Sequence, residues 1–364
     1  MSCKKNTENS AETLQTASQN TIEYAQGFTL KTYNSYTILS VTNAWPESDK
    51  TFNYLLLKEG QTAPDSIQVD AVIHVPIQSI VVTSTTHIPA LELLGVEQSL
   101  VGFPNLDYIS SEKTRALIDS GAITELGQNE SINTEKAIDL DPDVVVSFGV
   151  EGENKTLSSL QRAKIPVLYN GDWTEHQPLG QAEWIKFFAA LYGKEKEADS
   201  IFKHIETRYT DLKEKALAAK DKPTVLSGAM FKDVWYLPKG DSWAAQLVAD
   251  ANAAYLYADT EGTGSAALSV ESVLDKSQTA AFWIAPNAFA SYEALAEAND
   301  VYTQFDAYKN KTIYSFAKAK GATGGMLYYE LAPSRPDWVL EDLIGIFHPE
   351  LKQAGKPHFF FPLD

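Results

Sequence analysis

Residues 79–84 read Ser-Ile-Val-Val-Thr-Ser and residues 143–148 read Asp-Val-Val-Val-Ser-Phe, two short apolar runs rich in valine. A stretch with helical spacing follows each run, at residues 89–94 and 154–163. Continuous apolar strands that alternate with helices are typical of a parallel sheet, because crossover helices cover its two faces. The sequence therefore predicts an α/β fold built on a parallel sheet.

The same alternation returns after Pro223 and predicts a second parallel-sheet lobe. Its predicted strands are residues 224–228, 281–285 and 312–316, and its predicted helices are residues 241–250, 291–297 and 335–347. Between the lobes, apolar residues recur at steps of three and four, at Ala198, Ile201, Ile205, Tyr209 and Leu212. This spacing predicts one long amphipathic helix that joins the two lobes and bends little.

The N-terminal part of the chain differs from both lobes. Residues 4–26 are polar and have no apolar periodicity, whereas residues 28–76 contain short β-like runs separated by turn residues. The first pattern predicts a flexible tether and the second an additional β-meander. The predicted divisions are a tether over 1–27, an N-terminal β segment over 28–77, a first lobe over 78–180, a connecting helix region over 181–221 and a second lobe over 222–364.

The charge balance argues against several classes of partner. The chain has 48 acidic and 30 basic residues, which gives a formal net charge of −18. Such a chain lacks the basic surface expected of a nucleic-acid-binding protein, and it would be repelled by an anionic lipid surface. Its four arginines are Arg115, Arg162, Arg208 and Arg335. A pocket built on clustered guanidinium groups is therefore not expected.

Cys3 is the one cysteine of the sequence, so an internal disulfide is not possible. A polar tract follows it directly, which is the pattern of a lipoprotein after removal of its signal peptide. We expect Cys3 to carry a lipid anchor that holds the protein in a bacterial cell envelope, facing the periplasm or the outside. The alternative is a chance cysteine near a flexible terminus.

The loops beyond the predicted strands are the expected binding site, since open α/β sheets bind ligands at the carboxyl ends of their strands. Most of these loops combine an aromatic residue with a glycine, and aromatic rings at loop tips provide apolar contact area. The candidate ligand-binding residues are Thr86, His87, Phe103, Phe148 and Trp173 in the first lobe, and Met230, Phe231, Trp235, Trp243, Asn287, Phe289, Tyr328 and Tyr329 in the second. The alternatives are that each ring covers its own sheet and that His87 is simply solvated.

Sequence motifs for catalysis or for a resident metal are absent. The chain has neither a GxSxG nucleophile motif nor a GxxxxGK[ST] phosphate loop. Its six histidines show no HxH or HxxxH spacing, which a zinc or manganese site commonly uses. We therefore predict no catalytic residue, no metal site and no cofactor.

Several segments resemble a known family over roughly residues 70–364. Residues 133–146 read Asn-Thr-Glu-Lys-Ala-Ile-Asp-Leu-Asp-Pro-Asp-Val-Val-Val, which is similar to an N-x-E-x-[IV]-x-x-L-x-P-D segment of the class III substrate-binding proteins of ABC importers. Residues 79–102, 268–274 and 334–350 resemble the opening, second-lobe and closing segments of the same family. These proteins have a helical connection between two lobes and carry iron–siderophore complexes, haem or vitamin B12.

The resemblance implies a non-enzymatic protein that captures an iron chelate or a tetrapyrrole and delivers it to an ABC permease dimer. It also implies that Glu135 and Glu271, one on each lobe, dock onto arginines of the permease. Two features depart from the family pattern. Ile88-Pro89 stands where many relatives have Thr-Glu after the first loop. The arginine-rich pocket that some relatives use for tris-catecholates has no counterpart in this sequence. The cleft therefore suits a neutral hydroxamate complex, a corrinoid or haem.

Functions of other classes remain open at this stage. A metal chelatase on the same two-lobed plan would need a basic histidine in the cleft, for which His87 is the candidate. Two alternatives remain. The first is a protein that binds bare metal ions, and the second is a scaffold or adhesin.

Overall fold

The computed structural model describes residues 22–46, 48–62, 67–129, 131–149, 154–351 and 355–364. Cys3, the predicted lipid anchor, lies outside the described residues, as does most of the predicted tether. Among the described residues, none of the helices combines the length and the apolar character needed to cross a membrane. The described chain forms an N-terminal sheet, two α/β lobes and a helical connection between them.

The N-terminal sheet has the order β1-β2-β3-β4. Its strands are β1 (Phe28–Thr32), β2 (Tyr36–Val41), β3 (Phe52–Lys58) and β4 (Ala71–Val75). The first three strands form the expected antiparallel meander, and β4 joins in parallel with β3. The sheet packs on the first lobe through Tyr54, whose hydroxyl oxygen accepts a hydrogen bond from the Tyr169 N–H at 3.1 Å.

The first lobe contains a parallel sheet of order β11-β10-β5-β6-β7. Its strands are β5 (Ile80–Val82), β6 (Leu100–Phe103), β7 (Thr124–Glu125), the small pair β8 (Gly127–Gln128) and β9 (Ser131–Ile132), β10 (Val144–Phe148) and β11 (Val167–Asn170). Its helices are α1 (Ile88–Leu93), α2 (Glu112–Asp119), α3 (Thr134–Asp139) and α4 (Lys155–Arg162). The valine-rich runs of β5 and β10 are adjacent and buried, as a sheet covered on both faces requires.

Helices connect the two lobes. They are α5 (Pro178–Glu183), α6 (Ile185–Tyr192) and α7 (Glu195–Ala216). The last is the amphipathic helix that the apolar spacing predicts, and at ~1.5 Å per residue it is about 33 Å long. Its buried residues include Ala198, Ile205, Tyr209 and Leu212.

The second lobe also contains a five-stranded sheet, but its strand order differs from that of the first lobe. The order is β15-β12-β17-β18-β19, and among its described pairings only that of the edge strand β19 is antiparallel. Its strands are β12 (Thr224–Ser227), β13 (Ala229–Phe231), β14 (Val234–Pro238), β15 (Ala254–Tyr255), β16 (Ser265–Leu268), β17 (Phe282–Ile284), β18 (Ile313–Ser315) and β19 (Phe361–Pro362). Its helices are α8 (Trp243–Asp250), α9 (Val270–Ser277), α10 (Tyr292–Ala298), α11 (Asp306–Lys309), α12 (Leu327–Leu331) and α13 (Pro336–Phe347). Strands β13, β14 and β16 form a separate antiparallel sheet that the sequence did not predict.

Two buried carboxylates hold the segment that precedes β1. The Glu183 carboxylate accepts hydrogen bonds from the backbone N–H groups of residues 23–25, at 2.7–3.1 Å. The Glu175 carboxylate accepts from the N–H groups of residues 26 and 27, at 2.9–3.1 Å. The Tyr24 hydroxyl donates to Glu206 of α7 at 2.7 Å. The start of the described chain is thus fixed to the helical connection.

We predict that Glu183→Gln lowers the free energy of unfolding by about 3 kcal/mol, because it replaces a fully buried charged acceptor that also pairs with Lys186 at 2.9 Å. Chemical denaturation measures the change. Glu195→Gln, at an exposed position of α7, is the matched control and should change stability by less than about 0.5 kcal/mol. Equal stability of the two variants would contradict a structural role for the Glu183 contacts.

Candidate functional site

A large cavity opens in the second lobe, where β12 and β17 end. It has a volume of about 590 Å³, within the usual range for small-molecule pockets. Ser227 and Ile284, the last residues of these two strands, form part of its floor. Aromatic rings form much of its wall, namely those of Phe231, Tyr236, Trp243, Tyr255, Phe316, Tyr328, Tyr329 and Phe360.

A second cavity of about 250 Å³ lies between the lobes. The first lobe contributes residues that end or follow β5, β6 and β10, and the second lobe contributes a segment around α12. Its lining residues are Thr83, Ser84, Thr85, Phe103, Tyr108, Asn129, Phe148, Gly325, Met326 and Tyr329. Tyr329 lines both cavities and is 54% exposed. The two cavities therefore meet at one aromatic side chain.

Gly228 places the β13–β14 hairpin at the rim of the larger cavity. Its φ is +78°, and a Cβ at this position would lie 2.0 Å from the Tyr236 carbonyl oxygen, so only glycine fits. Its own carbonyl accepts a hydrogen bond from the Trp283 indole N–H at 2.8 Å. The hairpin beyond it carries Phe231, which is 61% exposed and lines the cavity.

Stacked rings fix one wall of the larger cavity. Phe316 and Tyr328 are parallel, with ring centroids 4.5 Å apart, and Trp243 lies 6.5 Å from Tyr328. Burial raises the pKa of Tyr328 and of Tyr329, so both phenols are neutral near pH 7. The wall offers flat apolar faces with neutral hydroxyl groups beside them.

The described residues that line the two cavities include no Asp, Glu, Lys, Arg or His side chain. The polar groups available to a ligand are hydroxyl and amide groups, among them the Asn287 side chain in the larger cavity and Asn129 in the smaller one. The Asn129 Oδ1 is buried without a hydrogen-bond partner in the described part of the chain. This lining suits an uncharged ligand with extensive apolar surface.

His87 does not face the cleft, and the expectation for this residue is corrected. The side chain is 0% exposed, and its ring packs 5.4 Å from that of Phe188. Burial lowers the pKa of His87 to about 3, so the ring is neutral. A chelatase could not use this histidine as the base in the cleft.

Trp235 is also a core residue, contrary to expectation. It is 0% exposed, donates its indole N–H to the Ser227 carbonyl at 3.1 Å and packs against Trp283. Met230 is buried next to it on β13 and does not line either cavity. Because adjacent side chains of a strand point to opposite faces, Tyr236 lines the cavity instead of Trp235.

The remaining predicted residues divide between the cavities and their surroundings. Phe103 and Phe148 line the cavity between the lobes, and Phe231, Trp243, Asn287, Tyr328 and Tyr329 line the larger one. Trp173 is partly exposed, and Phe289 packs 6.0 Å from Tyr302; neither lines these two cavities. Thr86 lies at a small cavity of about 20 Å³ that Asp172 also lines.

Sequence reasoning missed several lining residues. Tyr108 follows a turn rather than a predicted strand, and Asn129 lies between the short strands β8 and β9, so neither position has a clear sequence signal. Phe316 directly follows β18, and the rule on carboxyl ends of strands could have identified it.

Glu135 and Glu271 have similar local positions on a helix, one in each lobe. Each is an exposed residue in the first turn of a helix, α3 and α9 respectively. The side chains of Asn133 and Ser269 cap these helices by accepting a backbone N–H. A carboxylate in a first turn has a favourable interaction with the helix dipole.

Two α/β lobes, a helical connection and an aromatic cleft at the carboxyl ends of both sheets define a bilobal solute-binding protein. Residues 80–319 match the model of the periplasmic binding protein family, and the chain belongs to this family. The helical connection places it in the class III group, and the members of this family are solute-binding proteins rather than enzymes.

Individual proteins are similar to this chain in sequence or in fold. An uncharacterized lipoprotein of Methanocaldococcus jannaschii is 28% identical over 300 residues, which cover 79% of this chain and 69% of the relative. The periplasmic haem-binding protein RhuT of Roseiflexus sp. RS-1 has a similar structure, with a TM-score of 0.60 at 17% identity over 76% of this chain and 100% of that one. FhuD of Vibrio cholerae, solved with Fe³⁺–Desferal, has a TM-score of 0.54 at 18% identity over 74% of this chain and 98% of that one.

Proposed function

We propose that this protein captures an iron complex, a siderophore-type chelate or haem, between its lobes and delivers it to an ABC permease. The observation behind the proposal is the aromatic lining of the two cavities. Among the described residues this lining includes no charged side chain, and Tyr329 lines both cavities. Aromatic rings can stack on or surround a chelate, while hydroxyl and amide groups bind its oxygens.

The lining favours one kind of chelate. A tris-catecholate iron complex carries a high negative charge and needs cations around it, which this lining does not supply. A hydroxamate complex is close to neutral, and its organic shell matches the apolar walls. Haem would have to leave its carboxylates at the solvent-exposed rim. A corrinoid is the alternative ligand, because it too presents a large flat face.

The setting of this activity is the cell envelope. We propose that Cys3 carries a lipid anchor, in agreement with the lipoprotein named in Methanocaldococcus jannaschii, and that the protein contacts the membrane only through this anchor. Glu135 and Glu271 are the proposed contacts with the permease, one on each lobe. Paired charges at exposed sites orient a partner and raise its association rate more than they add affinity.

We predict that a neutral ferric hydroxamate complex quenches the tryptophan fluorescence of the protein and that Tyr329→Ala weakens its binding by at least about tenfold, since this ring lines both cavities. Titrations with haem, cobalamin and an iron-free hydroxamate form the comparison set. Tyr33→Ala, between β1 and β2 in the N-terminal sheet, is the control and should bind like the wild type. No response to any complex would refute the proposed function, and a response to cobalamin only would replace the iron complex by a corrinoid.

We predict that Glu135→Ala combined with Glu271→Ala lowers permease-dependent uptake by at least about tenfold without changing chelate affinity, because the two carboxylates lie outside the cleft. Uptake into vesicles that contain the permease measures this. Asp139→Ala with Asp275→Ala removes the same charge from exposed positions of the same two helices. Equal uptake by the two double variants would show that the glutamates have no particular role in docking.

A further inference from the structure

The lobes contact each other directly at a place that we call the clasp, formed by residues 321–330 of the second lobe and residues 107–111 of the first. The Thr323 hydroxyl donates to the Asp107 carbonyl at 2.7 Å. Gly321 and Gly325 lie directly against Ser110, where an added Cβ would be 2.7 Å from its Cα and 2.6 Å from its Oγ respectively. The close approach therefore requires residues without a side chain.

Glu330 is the polar centre of the clasp. Its carboxylate, 1% exposed, accepts hydrogen bonds from the backbone N–H groups of Ser110 and Ser111, at 2.6 and 2.9 Å. These two residues directly precede α2, and Ser111 is its N-terminal cap. A buried carboxylate of the second lobe thus satisfies backbone donors at the start of a first-lobe helix.

The clasp and the wall of the cleft belong to the same short segment. Glu330 follows Tyr328 and Tyr329 on the five-residue helix α12. Gly325 and Met326, which precede that helix, line the cavity between the lobes. Helix α12 also packs against the turn Thr85–His87 of the first lobe. A movement that separates Glu330 from residues 110–111 must therefore move both tyrosines.

We propose that Glu330 is a positioning residue that fastens α12 to the first lobe and thereby sets Tyr329 in the wall shared by the two cavities. The clasp couples closure of the lobes to the shape of the binding site. The part of this inference that concerns the ligand rests on the proposed function, whereas the part that concerns the lobes does not.

Protonation of Glu330 gives the clasp a pH dependence of defined sign. Burial, together with the nearby Glu92 on α1, raises the pKa of this carboxyl group from 4.5 to about 7, although the hydrogen bonds from residues 110 and 111 oppose the rise. His87 in the adjacent turn is neutral, since burial lowers its pKa to about 3. If the open carboxyl returns to its ordinary pKa, the closed state binds a proton more tightly than the open state. Closure is then favoured as the pH falls from 7 towards 4.5 and is weakened as the pH rises through 7.

Amide hydrogen exchange of the full chain without ligand tests the clasp. We predict that Glu330→Gln accelerates exchange of residues 106–117 by at least about tenfold and leaves β10 unchanged, because the amide nitrogen of glutamine cannot accept one of the two backbone N–H hydrogen bonds that the carboxylate oxygens accept. Relative to β10, exchange of this segment in the wild type should increase between pH 6 and pH 8, and in Glu330→Gln the ratio should be independent of pH. Glu297→Gln, at an exposed position of α10, is the matched control.

Gly325→Ala provides a second variant if Glu330→Gln does not fold, with Gly264→Ala as its control because a Cβ there meets nothing within 4 Å. Gly325→Ala should accelerate exchange of the same segment. Unchanged exchange in the folded clasp variants, or equal acceleration of β10, would overturn the proposal. A ferric hydroxamate should bind the clasp variants more weakly than the wild type. Because the exchange measurement needs no chelate, its outcome does not depend on whether the proposed ligand is right.

Discussion

The packing of α7 between the lobes is the constraint on which the binding site depends. Arg208 on this helix donates to Asp337 of α13 at 2.8 Å and also pairs with Glu341. Asp337 is fully buried and is held from its own lobe by Arg335. At its other side α7 packs on α6. A continuous helix anchored in this way restricts the lobes to small relative movements, so the strand ends of both sheets remain around one cleft.

Charged side chains lie outside the two cavities in the described part of the chain. The chain has a net charge of −18, yet both cavities have an uncharged lining in the described residues. Several carboxylates have structural roles, among them Glu175 and Glu183, which hold the start of the described chain, and Glu330, which joins the lobes. Glu135 and Glu271, by contrast, are exposed and lie outside both cavities. The carboxylates and the cavity linings thus occupy different parts of the described structure.

The sequence predicted the parts of this structure that depend on local patterns. Valine-rich runs predicted β5 and β10, and apolar spacing predicted α7. The rule that ligands bind at the carboxyl ends of strands led to Phe148 and Phe231. Sequence analysis failed where the position of a side chain depends on residues that are distant in the sequence. Whether Trp235 or Tyr236 faces the core is decided by the pairing of β14 with β13 and β16, since adjacent residues of a strand point to opposite faces. His87 is buried by Phe188, and Glu330 meets residues more than 200 positions away, which no local pattern encodes.

We expect the cleft to bind one uncharged or weakly charged metal chelate. Native mass spectrometry of the protein isolated from its own host, grown with limiting iron, identifies what the cleft carries. We predict a mass increase that corresponds to one organic iron complex per chain and disappears on denaturation. A bare metal ion, a highly charged complex or a metal-free solute in its place would show that the cleft has a different ligand.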